Sequence, residues 1–263
     1  MKFLLNILIV ALTLAKCQAA TRVALVADKA EGDVVKILDL ATVKLGQEKE
    51  NELLSRDEIQ RVLAEQQLTL DGTLNPSRLV IAGKMLKVDL FAVLDTVTRT
   101  NRTEGGMSQA VAGLTVFDAK TGVRLEDAAL SEEGVEKLAE AVVAGLLAAQ
   151  HKQVAAGLPT ICLLSVRNAD LPRSLDGLCD SVGRLLEQRL LASASCAVLE
   201  RQRLDQINKE RALPGNEADQ ALLASVVIME LECSRGPDGQ GLRATAWLSS
   251  NEGKLLSTFT VTS

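Results

Sequence analysis

Leu54-Ser55-Arg56-Asp57-Glu58-Ile59-Gln60-Arg61-Val62 in the first half of the chain faces Leu199-Glu200-Arg201-Gln202-Arg203-Leu204-Asp205-Gln206-Ile207 in the second, without a gap. The register continues to Glu65 facing Glu210 and Leu68 facing Leu213. In the first copy Ile59, Val62 and Leu63 recur at helical spacing. Ser55-Arg56-Asp57-Glu58 has the S-x-x-E form of a capping box, in which the hydroxyl accepts from a free backbone N–H of the first turn. A short strand precedes each helix, at Glu52–Leu54 and at Cys196–Leu199.

Reading outward, the flanks repeat as well. Arg22–Ala27 and Thr160–Val166 are apolar runs that read as buried strands. Asp33–Leu45 and Leu175–Leu191 are helical, the latter with Leu178, Val182, Leu185 and Leu186 on one face. In the first copy a helix at Leu79–Leu86 leads to a strand at Asp89–Thr98. The stretch Met85–Leu94 matches Leu222–Leu231 in pattern. Each copy then closes with a hairpin. One is Ala110–Phe117 with Val123–Ala129, turning at Gly122; the other is Gly241–Leu248 with Lys254–Val261, turning at Gly253. The sequence therefore predicts an α/β fold: two tandem repeats of a small mixed-sheet α/β unit (β-α-β-α-(α)-β-β-β) joined by an amphipathic helix. The expected units are residues 21–130 and 159–263, with the helix and linker at 131–158.

The joining helix, Ser131–His151, carries Val135, Leu138, Val142, Leu146 and Leu147 on one stripe, and Pro159 follows it. The second unit has no counterpart. Leu242, Ala244, Ala246, Leu248, Leu255, Phe259 and Val261 would then lack cover. The cover could be borrowed from the Ser131–His151 helix, come from another chain, or belong to a longer protein cut at Ser263.

Residues 1–20 read as a secretory signal peptide: Lys2, an apolar run from Phe3 to Ala15, and small residues at Ala19 and Ala20. Leu14-Ala15-Lys16-Cys17 resembles a lipobox, with Lys16 where a small residue is usual. Lipid on Cys17 would place the protein on a membrane. Composition narrows the function. One His, one Trp, no Tyr and a net charge of −5 exclude a multi-histidine metal centre and argue against a nucleic-acid surface.

No pattern assembles a catalytic site. Asp57-Glu58 and Glu126-Asp127 are neighbours in sequence, so their carboxylates diverge on a helix or a strand. Arg56 and Arg201 hold equivalent strand-to-helix junctions, where a structural arginine or else a ligand or partner contact is expected. Glu104-Gly105-Gly106 and Gly236-Pro237-Asp238-Gly239 lack phosphate-loop spacing, and Asn101-Arg102-Thr103 is a sequon only in a eukaryote. Cys162, Cys179, Cys196 and Cys233 all lie in the second unit. Two disulfides, in any of three connectivities, or buried free thiols both fit an exported chain. No catalytic, cofactor or metal residues are assigned.

The order of these segments resembles the periplasmic domain of the curli assembly/transport component (CsgG) family. The likeness rests on Val23-Ala24-Leu25-Val26, on the strand–Arg–helix segment from Leu53 to Gln66, and on Gly83-Lys84-Met85-Leu86-Lys87-Val88-Asp89-Leu90-Phe91-Ala92-Val93-Leu94. It covers residues 22–130 well and 160–263 more faintly. The resemblance implies a non-enzymatic periplasmic interaction module related to curli-type secretion and assembly. It also implies outer-membrane association and partners among envelope or secretion proteins or further copies of the chain. The channel-forming members carry long membrane hairpins and an acylated N-terminal Cys. Here Asp118, Lys120, Arg124, Arg243, Glu252 and Lys254 make both hairpins polar, so the architecture transfers rather than the pore. The alternative reading is a two-lobed periplasmic ligand-binding protein.

Overall fold

A computed structural model describes residues 20–27, 32–48, 50–65, 76–95, 98–100, 109–132, 134–154, 158–193, 195–210, 217–239 and 241–262. The leader with Cys17, the Asn101 sequon, the Glu104-Gly105-Gly106 loop and the Leu68/Leu213 pair lie outside these residues. The first unit runs β1 (Thr21–Ala27), α1 (Asp33–Leu45), β2 (Asn51–Leu53), α2 (Arg56–Glu65), α3 (Pro76–Leu86), β3 (Leu90–Leu94), β4 (Thr98–Thr100), β5 (Gln109–Asp118) and β6 (Arg124–Glu132). Helix α4 (Val135–Val154) follows. The second unit runs β7 (Thr160–Asn168), α5 (Asp176–Ala192), β8 (Ala197–Val198), α6 (Arg201–Glu210), α7 (Glu217–Ser225), β9 (Val226–Arg235), β10 (Leu242–Ser250) and β11 (Leu255–Thr262).

All the strands belong to one sheet, ordered β11-β10-β9-β7-β8-β6-β5-β3-β1-β2, with β4 paired to β5 off this path. Each unit contributes the same local order and the same pairing senses. In the first unit β1 is parallel to β2 and β3, β3 is antiparallel to β5, and β5 is antiparallel to β6. In the second unit β7 is parallel to β8 and β9, β9 is antiparallel to β10, and β10 is antiparallel to β11. The equivalence extends to single residues. Val23 pairs with Leu53 and Leu90, and Ile161 pairs with Val198 and Val227. Even the hairpin irregularity recurs, between Val116 and Phe117 in β5 and between Leu248 and Ser249 in β10. A bulge of this kind bends the strand and sharpens its twist. Both hairpin turns use the predicted glycine in the left-handed region, Gly122 at φ 76 and Gly253 at φ 83.

The units meet edge to edge where β6 pairs antiparallel with β8, Arg124 opposite Val198. Strands β1, β3 and β6 therefore run one way and β7, β8 and β9 the other, while the lateral order is kept. The second unit is thus the first turned over, which moves its α6 and α7 to the side of the sheet that carries α1 and α4. The core shows this. Ile37, Leu38 and Ala41 of α1, Leu138, Val142 and Leu146 of α4, Leu204 and Ile207 of α6, and Leu222 and Leu223 of α7 belong to one buried cluster. A second cluster on the opposite side holds Ile59 and Leu63 of α2 and Leu79 and Leu86 of α3 over Phe91 and Phe117.

Three sequence readings shift. The joining helix starts at Val135 rather than Ser131, because Ser131 and Glu132 extend β6 opposite Val111 and Ala110, and Gly134 at φ 94 turns the chain into the helix. The Asp89–Thr98 strand is two strands, β3 and β4, the latter paired only with the start of β5. On α5, Leu178 and Leu185 of the expected stripe are exposed, and Cys179 and Gly183 take the sheet side. A Cβ on Gly183 would stand 2.7 Å from Val166 Cγ2, so the helix sits low on β7 at that point. Ser55 caps α2 as read, its Oγ accepting from the Glu58 amide at 3.3 Å.

Candidate functional site

The densest arrangement of charge is the junction between the units. Arg124 opens β6 and is nearly enclosed, its side chain 11% exposed. Its guanidinium donates to Asp127 Oδ2 at 2.9 Å and to Glu187 Oε2 on α5 at 2.8 Å, with Glu200 Oε1 at 3.7 Å. Burial pushes the Glu200 carboxyl up from its ordinary value; Arg124 pulls it back, while Glu187 and Asp127 add to the rise. Lys152, near the end of α4, is buried. Its ammonium donates to the carbonyls of Leu125 (2.8 Å) and Leu191 and lies 3.6 Å from Glu126 Oε2. Arg203 of α6, also buried, donates to the Thr121 carbonyl in the β5–β6 turn at 3.0 Å.

Each of these cations crosses from one unit to the other, so the cluster joins the units. Chemically, every carboxylate here faces a cation. Two thiols lie within reach of these charges, Cys196 near Lys152 and Cys162 near Glu187 and Glu200, and burial pushes both up, which keeps them protonated. A second cluster fastens the strand starts of the first unit. Asp89 accepts from the Arg22 amide at 3.0 Å and pairs with Lys120 at 2.9 Å. Burial pushes Asp89 up, but the Arg22 amide and Lys120 outweigh it, and its carboxyl lies below the ordinary value. Lys120 is raised in turn by its hydrogen bond to Asp89.

The residues singled out from sequence are dispersed. Asp57 and Glu58 are exposed in the first turn of α2. Glu126 and Asp127 face different cations, Lys152 and Arg124. Arg56 pairs with Asp39 at 2.6 Å, and Arg201 reaches Asp205 at 4.0 Å. The four described cysteines are free and buried. Burial pushes the Cys162 thiol up to about 12. Cys233 is pushed up to about 11 by burial and by the adjoining Cys179, with which it shares a hydrogen bond. Among the described residues no three His, Cys, Asp or Glu side chains group as metal ligands.

Sequence reasoning missed Arg124, Lys152, Glu187, Glu200 and Arg203. A usable signal existed in the repeat itself: Arg203 stands where the first unit has Glu58, and Glu200 where it has Ser55. At these two positions the second unit carries a charge that its counterpart lacks or reverses.

The other distinctive surface is the last hairpin. Leu255, Leu256, Phe259 and Val261 are all exposed on β11, the end strand of the sheet. The two halves are therefore edge-joined parts of one sheet, unlike lobes facing each other across a cleft. A groove beside this hairpin, lined by Gln220, Leu223, Ala224, Ser250, Asn251 and Glu252, is largely polar and open.

No family model and no curated protein matches the chain. Among solved structures it is similar to the C-terminal domain of LpoB from Salmonella enterica, at 11% identity and a TM-score of 0.32, over 48% of this chain and 93% of that one. It is similar to lipoprotein GNA1162 from Neisseria meningitidis at 11% identity and a TM-score of 0.33, over 49% of this chain and 96% of that one. It is also similar to the hypothetical protein CT253 from Chlamydia trachomatis at 14% identity and a TM-score of 0.30, over 43% of this chain and 72% of that one.

Proposed function

We propose that the chain is a non-enzymatic interaction module of the bacterial cell envelope. It is exported to the periplasm by its leader and built as a tandem duplicate of the unit seen in the periplasmic domain of the curli assembly/transport component family. The observation that carries this reading is the contrast between the two distinctive surfaces. The buried charges Arg124, Lys152 and Arg203 each reach across to the other unit, which fits a structural seam. Exposed apolar side chains gather on β11, where Leu255, Leu256, Phe259 and Val261 all stand open. Contiguous exposed apolar surface on a folded domain marks an interaction site. Among the described residues no helix is long and apolar enough to cross a membrane, a statement that leaves strand-built barrels aside.

The test uses the full chain with its leader, expressed in a bacterium. The protein is isolated from the periplasm, its N-terminus is sequenced, and intact cells are treated with an amine cross-linker before mass spectrometry. A mature start after Ala19 or Ala20 and adducts with envelope proteins are expected. Met1 retained on cytosolic protein would overturn the reading. A lipid on Cys17 would move the module to a membrane surface.

A further inference from the structure

Helix α4 fills a groove in the first unit, between α1 and the β5–β6 hairpin. Its Leu138, Val142 and Leu146 are buried there, and Lys44 of α1 clasps its Glu140 at 2.9 Å. The second unit builds the same groove from α5 and β10–β11, and no described helix lies in it. The register that sets Leu54 opposite Leu199 sets Leu40 and Lys44 of α1 opposite Leu185 and Arg189 of α5. Strand pairing sets Leu125, Ala128 and Leu130 of β6 opposite Leu256, Phe259 and Val261 of β11. Leu40 and Leu130 pack against the core, and Leu125 is 4% exposed. Their counterparts stand open: Leu185 is 58% exposed, Leu256 52%, Phe259 57% and Val261 70%. Ile37 and Ala41 are buried in α1, whereas Val182 and Leu186 are only half-buried at the same places in α5.

We infer that this groove is a docking seat for an amphipathic helix of a partner protein, held as α4 is held in the first unit. The inference rests on the reading of the chain as an interaction module and names the class of partner. The described residues of a second copy offer no spare helix, because each described helix already buries apolar residues on its own sheet. The seat specifies its occupant. The helix carries an aliphatic stripe at the spacing of Leu138, Val142 and Leu146. It carries an acidic residue toward Arg189, as Glu140 faces Lys44. It also carries a bulky residue where α4 has Gly145. In the first unit a Cβ at Gly145 would stand 2.6 Å from Leu114 Cδ2. In the second unit the two side chains that crowd Gly145 become smaller, Ala246 for Leu114 and Ser257 for Glu126, while Phe259 in place of Ala128 adds an apolar wall beside them.

The probe is a labelled peptide of residues 134–154, titrated with the purified mature chain and followed by fluorescence anisotropy. Binding with a Kd on the order of tens of micromolar is expected. Phe259→Glu and Leu185→Glu each weaken it by about tenfold or more, and Thr260→Glu, on the opposite face of β11, changes it less than about twofold. The peptide variant Gly145→Leu binds several-fold more tightly, roughly the effect of one added aliphatic contact. Both seat positions are exposed, so the variants fold; circular dichroism verifies this. No binding up to about 0.5 mM, or equal binding by Phe259→Glu, overturns the inference. So does light scattering that shows a Phe259-dependent homo-oligomer, which would make a second copy the occupant. A failed titration leaves periplasmic export and envelope adducts standing, so the two readings fail separately.

Discussion

The hairpins β5–β6 and β10–β11 share length, pairing, bulge position and turn glycine, yet one is interior and the other is surface. Their sequences record the difference at equivalent places. Arg124, Leu125, Glu126 and Asp127 in β6 stand where β11 has Leu255, Leu256, Ser257 and Thr258. The first set is surrounded: α4 lies over it, α5 closes beside it, and β8 continues the sheet. The charged residues there are matched by charges from both neighbours. The second set carries no charge, because nothing in the described chain would meet it. Duplication thus supplied one geometry, and the neighbours decided which chemistry each copy retained.

The largest expected effect comes from removing the residue that distinguishes the interior hairpin. Arg124→Ala leaves Asp127, Glu187 and Glu200 facing one another without their common cation. Truncating one partner of a buried ion cluster while its counter-charges stay is costly, and here the loss should be about 2–4 kcal/mol, tempered because the carboxylates are partly wetted. Leu255→Ala, at the equivalent place in β11, should change stability by less than about 0.5 kcal/mol. Urea unfolding of both variants measures the contrast. Equal losses would mean that the junction is not what sets the two hairpins apart.

A middle-sized effect separates the units at the helix before each third strand. Gly83 of α3 faces the β5–β6 turn so closely that a Cβ there would stand 2.7 Å from Ala119 Cβ and 2.8 Å from its carbonyl oxygen. The carbonyl cannot swing aside as a side chain can. Gly83→Ala should therefore cost about 1–3 kcal/mol through overpacking. The register places Gln220 at this position in α7 and Asn251 opposite it, and a polar groove opens there instead of a contact. Gln220→Ala should shift stability by less than about 0.5 kcal/mol. Thermal denaturation of the pair checks this, and a neutral Gly83→Ala would show that α3 has freedom the packing does not suggest.

These contrasts also show what the sequence carried and what it did not. The repeat was legible because buried strands and half-buried helices impose their own periods. Leu54 against Leu199 and Met85–Leu94 against Leu222–Leu231 predict the register that the strand pairs display. The junction was not legible. It rests on one backbone pair, Arg124 with Val198, and edge pairing imposes no period on either strand. Lys152 was hidden for a related reason. A lysine at the end of an amphipathic helix reads as solvated, and only the arrival of the α5 terminus encloses it. On α5 the sequence showed a stripe wider than the sheet can cover. Leu178 and Leu185 belong to that stripe, but to a part of it that no described element covers.

The smallest and most selective contrast is between Cys162 and Ala24, which occupy the same place in β7 and β1, both fully buried. Near neutral pH the thiol acts as a small apolar group, so Cys162→Ala should cost about 1 kcal/mol. At high pH the balance changes. The folded thiol is pushed up to about 12, mainly by burial, against an ordinary value of 9.0. Above pH 9 the unfolded chain ionises this cysteine while the fold keeps it protonated, which favours unfolding. A group raised in this way contributes fully below pH 9, and its contribution is lost as the pH climbs toward 12. The loss approaches about 1.4 kcal/mol per pH unit within that window. Cys162→Ala has nothing to titrate there, as Ala24 has nothing in the first unit. The stability gap between the wild type and the variant should therefore stay constant from pH 7 to pH 8, narrow above pH 9, and vanish or change sign near pH 10. The remaining cysteines and the lysines titrate identically in both proteins and cancel in the difference, and the chain contains no Tyr to complicate the range. Urea midpoints at successive pH values give the curve. A gap that holds steady through pH 10 would mean that solvent reaches Cys162 and that β7 is more open at the heart of the second unit than β1 is in the first.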